Sequence, residues 1–209
     1  MNLHSLALPL AYVGALLSVA MVLPQLTRTI RHPHLPGVSA LSWALTAVGC
    51  LGWLLYGLRI SSVPQIPGNV LLISGAVAVV ILVPSVVSRS RRALGLAAAA
   101  GLLLLVNTVV PAQTVGYVAF AISMVSAWPQ LFESYGNWRT GGESGLSLTT
   151  WSVKIASTSS WLAYGILAAD LPVLVACSVG LVTTLAIIGM ETSARYSVAR
   201  DAEAVLERV

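Results

Sequence analysis

The sequence predicts an all-α membrane protein of seven transmembrane helices, two triple-helix bundles joined by one extra helix in a 3+1+3 parallel repeat. Three observations carry this expectation. The 209-residue chain is 57% hydrophobic and 9% charged, whereas a soluble domain carries about 25% charged residues. Its mean hydropathy of +0.88 leaves too little polar surface to cover a globule in water. Seven apolar stretches approach the roughly 20 residues that a spanning helix needs. Finally, a set of short motifs occurs twice at a nearly fixed offset.

The seven stretches lie at about 5–27, 39–58, 63–84, 93–110, 111–132, 148–168 and 171–190. The fourth and fifth are divided only by the region from Asn107 to Gln113. In the first copy of the motifs, LPQL (Leu23 to Leu26) is followed by GVSALSW (Gly37 to Trp43) and GWLLYG (Gly52 to Gly57). In the second, WPQL (Trp128 to Leu131) is followed by GLSLTTW (Gly145 to Trp151) and SWLAYG (Ser160 to Gly165). The offset is 105 residues at the Pro-Gln pair and 108 from the Gly-x-Ser onward. Pro64-Gln65 is a third Pro-Gln pair, out of register with the other two. The fourth stretch, ALGLAAAAGLLLL, has no counterpart and reads as a lipid-facing linker. Three spans invert the chain, so a fourth is needed to start the second copy in the same orientation; the copies are then parallel repeats about an axis along the membrane normal. The expected divisions are 1–88 for the first repeat, 89–110 for the linker helix, 111–192 for the second repeat and 193–209 for a cytoplasmic tail able to form a short helix.

The arginines set the expected orientation. Arg59 alone lies on the side of the N-terminus, while Arg28, Arg31, Arg89, Arg91, Arg92, Arg139, Arg195, Arg200 and Arg208 lie on the other. That bias puts the N-terminus outside and the C-terminus in the cytoplasm. No basic region precedes the first apolar run, so no cleavable signal is expected. Cys50 and Cys177 fall inside apolar stretches, which argues against a disulfide, and their spacing offers no metal site. His4, His32 and His34 belong to the tail or a loop. No Ser/His/Asp, metal or nucleotide constellation points to an enzyme or a cofactor, and scattered arginines do not make a nucleic-acid surface.

The 3+1+3 layout, with Pro-Gln on the first helix of each triplet and Gly-x-Ser, Trp and Trp-x-x-Tyr-Gly behind it, resembles the PQ-loop superfamily. Within it, residues 5 to 190 are similar to SWEET sugar transporters and the half-size SemiSWEETs. Proline breaks a helical hydrogen bond and kinks the span; Pro24 and Pro129 are either static kinks or, as the resemblance implies, hinges of an inner gate. Gln25 and Gln130 have amides that can satisfy freed carbonyls or bridge helices, with packing and gating equally open.

Trp43, Thr46, Cys50, Trp53 and Gly57 fall on one helix face, repeated as Trp151, Lys154, Thr158, Trp161 and Gly165. Trp53 and Trp161 sit about 9 Å below the external helix ends at 1.5 Å per residue, and Asn69 lies at a similar depth. A Trp face stacks on the apolar face of a pyranose and an Asn amide serves hydroxyls. Trp followed sixteen residues later by Asn resembles the SemiSWEET substrate-site pair, implying Trp53, Asn69, Trp161 and Cys177 as substrate-binding residues; Cys177 stands where a second Asn would fall. Lys154 is the clear charge inside the apolar zone. It either holds an anionic group, pairs with Glu133, or snorkels to the interface. Arg59 and Asp170 lie at the external ends of the second and sixth spans, with Tyr56 and Tyr164 one turn inward. They form an outer gate pair or remain two solvated loop charges.

The expectation is a facilitative alternating-access carrier of a small neutral sugar in a bacterial plasma membrane, with bilayer and solute as partners and self-association left open. No midplane acid is visible, which argues for uniport. A carrier of amino acids or another small polar solute, and a non-transporting receptor, are the alternatives.

Overall fold

The computed structural model describes residues 3–31, 40–82, 86–140 and 148–206. After a short 3-10 turn at Leu3–Leu6, seven α-helices follow among the described residues. They are α1 (Ala7–Arg31), α2 (Ala40–Arg59), α3 (Gln65–Leu82), α4 (Arg89–Val109), α5 (Ala112–Thr140), α6 (Leu148–Leu167) and α7 (Leu171–Leu206). By length and composition α2, α3, α4 and the Leu171–Ala194 part of α7 can cross a membrane. Apolar segments of α1 (Ala7–Met21) and α5 (Ala112–Trp128) are shorter.

The boundary that the sequence defines least well falls at Val110–Pro111. Val110 is extended, at φ −116° and ψ 160°, as expected before a proline, whose ring disfavours the helical conformation of its predecessor. At the far end the tail does not separate from the last span, because α7 continues unbroken to Leu206.

α3 packs against α1 and α2, and α7 packs against α5 and α6. These two groups of three helices meet through α1 against α6 and α2 against α5. α4 touches α2, α3 and α5 and buries Leu103, while Leu94, Leu102, Leu104 and Leu105 are exposed. A helix whose apolar side chains face outward suits lipid better than water.

The main hydrophobic cluster lies at one end of the bundle. Ala11 comes from the start of α1, Leu55 and Tyr56 from the end of α2, Leu103 from α4, Val115 from the start of α5, Tyr164 from the end of α6 and Val173 from the start of α7. At this end α2 and α6 finish in matching turns. Ser62 N–H donates to Gly57 C=O at 2.8 Å, and Asp170 N–H to Gly165 C=O at 2.9 Å. These six-to-one bonds close Schellman-type ends around Ser61 (φ 57°) and Ala169 (φ 54°). The left-handed turn throws the chain straight into the next helix, so Gly165 presses on it. A Cβ there would lie 2.9 Å from Leu174 N and 3.1 Å from its Cα. Backbone cannot step aside as a side-chain tip can. Gly165→Ala is therefore expected to destabilise the protein by about 1–3 kcal/mol, seen as a lower unfolding temperature in detergent.

Candidate functional site

Just below that cluster, toward the middle of the bundle, lies a cavity of about 300 Å³. All four residues the sequence singles out for binding line it: Trp53 of α2, Asn69 of α3, Trp161 of α6 and Cys177 of α7. Most of the lining falls into pairs one repeat apart. Trp53 answers Trp161, Cys50 answers Thr158, Ser18 answers Ser123, Gln65 answers Val173, and Asn69 answers Cys177. The lining contains no Asp, Glu, Lys, Arg or His among the described residues.

The two indoles are held differently. Trp53 Nε1 donates to Ser123 Oγ of α5 at 3.2 Å, and that hydroxyl donates to Ala119 C=O at 2.8 Å. Trp161 instead lies against Gly14 of α1, where a Cβ would come within 2.8 Å of its ring. Here the serine equivalent to Ser123 is Ser18, whose hydroxyl lies 2.8 Å from that of Ser157; both can reach the Gly14 carbonyl at 2.9 Å. Each indole also meets the tyrosine one turn along edge to face, Trp53 with Tyr56 at 6.0 Å and Trp161 with Tyr164 at 5.6 Å between centroids. The sequence spacing already places each Trp and Tyr on one face. The Ser18 and Ser123 partners, 105 residues apart, lie outside the repeated motifs and were missed for that reason.

Above the cavity the tyrosines cross between the triplets. Tyr56 donates its hydroxyl to Asp170 Oδ1 at 2.5 Å, and the Tyr164 hydroxyl lies 3.3 Å from Ser62 Oγ. Asp170 and Ser62 are themselves one repeat apart, so the two contacts are the same device with different chemistry. Asp170 Oδ1 also accepts from Val173 N–H at 3.2 Å, capping α7. Its Oδ2 is buried without a hydrogen-bond partner. Burial raises the Asp170 carboxyl above its ordinary 3.8, against the opposing pull of the Tyr56 and Val173 hydrogen bonds.

The expected pairing of Arg59 with Asp170 is replaced by two separate contacts. Arg59 donates to the carbonyls of Asn107 at 2.8 Å and Val110 at 2.6 Å, where α4 ends. Terminal helix carbonyls lack intrahelical partners and carry the negative end of the helix dipole, so they attract a guanidinium without the cost of burying it. Asp170 turns inward to Tyr56. Three readings stand open for Lys154; the cavity lining does not include it, and its ammonium lies 4.2 Å from the centroid of the Trp151 ring, a cation–π contact. Pro24 and Gln25 fall within α1, and Pro129, Gln130 and Glu133 within α5, but their side chains lie outside the described residues.

Two groups escaped the sequence reading. Gln65, set aside as part of a misplaced Pro-Gln pair, lines the cavity at 4% exposure. Glu191 is fully buried on α7 with neither carboxylate oxygen hydrogen-bonded; the sequence places it just past the end of its span.

No family model matches the sequence, and no curated protein matches it. A eukaryotic SWEET transporter of known structure aligns with a TM-score of 0.74 over 91% of this chain and 99% of its own, at 16% identity. At that identity the likeness concerns architecture: the chain has a SWEET-like helical membrane fold.

Proposed function

We propose that the protein is a facilitative alternating-access transporter for a small neutral solute, with a sugar as the favoured class. The observation that carries this reading is a cavity lined by a repeat-related pair of indoles, Trp53 and Trp161, together with Asn69 and Cys177. A lining without ionisable Asp, Glu, Lys, Arg or His favours an uncharged solute, because a charged one would enter a low-dielectric site with no counter-charge. At about 300 Å³ the cavity has room for a sugar ring.

On this reading the chain consists of two three-helix repeats joined by α4, with the first repeat at 1–88 and the second at 111–192. The Tyr56–Asp170 and Tyr164–Ser62 contacts form the external gate, closed here. Pro24 and Pro129, with Gln25 and Gln130, form the inner hinges, and the N-terminus faces outward. Transport then amounts to the two repeats rocking about the cavity. The likeness to a SWEET transporter supports a carrier over a receptor.

The test is uptake of labelled glucose, xylose, sucrose and a panel of amino acids into proteoliposomes, with Trp53→Ala and Asn69→Ala as controls. Flux of a monosaccharide that both variants reduce supports the proposal. Absence of flux for every sugar overturns it, and flux of amino acids alone would establish the alternative.

A further inference from the structure

The cavity is symmetric in outline and asymmetric in chemistry. On the α3 wall stand Gln65, Gly68 and Asn69; the equivalent α7 positions are Val173, Ala176 and Cys177. Both amides therefore belong to the first repeat.

Their hydrogen-bonding states differ in a useful way. Asn69 spends its Nδ2 on the Gln65 backbone carbonyl at 2.7 Å, leaving its Oδ1 as an acceptor that no described residue takes up. Gln65 Nε2 is a buried donor with no partner. Leaving such a donor unmet costs about 1–3 kcal/mol, so a partner supplied from the cavity recovers that cost. Gln65 is one of the residues lining the cavity, and the terminal torsion of a glutamine is soft, so the amide can reorient toward a solute. Of the serines that line the cavity, Ser123 is engaged with Trp53 and Ala119, and Ser18 with Ser157 and Gly14; the other lining hydroxyl is that of Thr158 on α6.

We infer that Gln65 is a specificity-determining residue for the solute, on the premise that the cavity is the transport site. Its Nε2 donor and the Asn69 Oδ1 acceptor lie four residues apart, one helical turn, on the same face of α3. One donor and one acceptor so placed match two adjacent hydroxyls, the first accepting and the second donating. The opposite edge of the solute meets Val173, Ala176 and Cys177, which reward carbon and leave a hydroxyl unpaired. The solute is thus a monosaccharide with a vicinal diol on one edge and little oxygen on the other. A pentopyranose, with a ring methylene at that edge, is favoured over a hexose bearing a hydroxymethyl group.

The experiment measures half-saturation concentrations for D-xylose and D-glucose in proteoliposomes. It compares the wild type with Gln65→Leu, Gln65→Glu and Val173→Gln, and records unfolding temperatures in detergent. The wild type is expected to favour xylose. Gln65→Leu and Gln65→Glu should raise the xylose half-saturation concentration about tenfold or more with maximal flux largely kept, since Glu has the size of Gln but lacks its donor. Val173→Gln adds a donor opposite and should shift preference toward glucose, which a merely structural role for Gln65 would not produce. Unchanged half-saturation in both Gln65 variants, or a wild type that favours glucose, overturns the inference while leaving the transporter intact. If a Gln65 variant fails to fold, the response of Val173→Gln decides. If the wild type moves neither sugar, the inference falls, and the full uptake panel decides whether the transport proposal falls with it.

Discussion

Trp53→Ala is expected to raise the half-saturation concentration for the transported sugar about thirtyfold, with Trp53→Phe much milder. A buried tryptophan removes about 150–250 Å² from solvent. One ring face stacked on a sugar accounts for about 80 Å² of that, or about 2 kcal/mol at 25 cal/mol per Å². At 1.4 kcal/mol per decade, this gives the expected factor. Phenylalanine keeps an aromatic face and loses the bond from Nε1 to Ser123, a contact between the triplets and not with the solute. Trp161→Ala should lose a similar amount of binding and also stability, because its ring fills the space that Gly14 leaves open. Flux as a function of sugar concentration, together with unfolding temperature in detergent, separates the two effects. Equal, full activity in both alanine variants would remove the indoles from the binding site.

How much of this was legible in advance depends on which kind of constraint set each feature. Periodicity along a helix fixes which residues share a face, and the repeat fixes which faces correspond. Those two facts put Trp53 and Trp161 on matching faces; the resemblance to the SemiSWEET substrate-site pair added Asn69 and Cys177, and all four line one cavity from four different helices. Neither fact says which of several neighbours a polar side chain will choose. Arg59 and Asp170 look like partners in sequence because they are opposite charges near the same end. The structure offers Arg59 the free carbonyls of α4 and offers Asp170 a tyrosine hydroxyl and a helix amide. Lys154 was legible as an unusual charge, but its resting place on Trp151 depends on a rotamer and not on spacing. Gln65 was hidden for another reason. Its dipeptide imitated a repeat motif in the wrong register, whereas its importance lies in the 108-residue comparison with Val173. The places where the copies disagree — Asn69 with Cys177, Gln65 with Val173, Ser62 with Asp170 — carry the chemistry that symmetry alone does not supply.

External acidification is expected to slow outward opening of the protein, and Asp170→Asn to abolish that dependence. On the proposed gating, the structure described is the closed state, in which burial holds the Asp170 carboxyl above its ordinary value of 3.8. An open gate exposes the group to water and returns it toward that value. The closed state therefore binds the proton more tightly than the open one, and acid favours closure. The gain begins as external pH falls through the raised value and is complete below 3.8, the ordinary value. Above that window the carboxylate is charged in both states, and its burial works against closure. The asymmetry of the repeat sharpens the test, since the matching contact of Tyr164 with Ser62 contains no carboxyl. Asn keeps the size of Asp, can still accept from Tyr56 and caps a helix about as well. Asp170→Asn should then resemble the acidified wild type at every pH, with slower outward opening. Tyr56→Phe removes the donor that favours the charged carboxylate, so its pH dependence should persist and move to higher pH. Stopped-flow efflux at fixed internal and varied external pH reads both effects. Identical pH profiles for wild type and Asp170→Asn would show that the carboxyl does not gate the outer end.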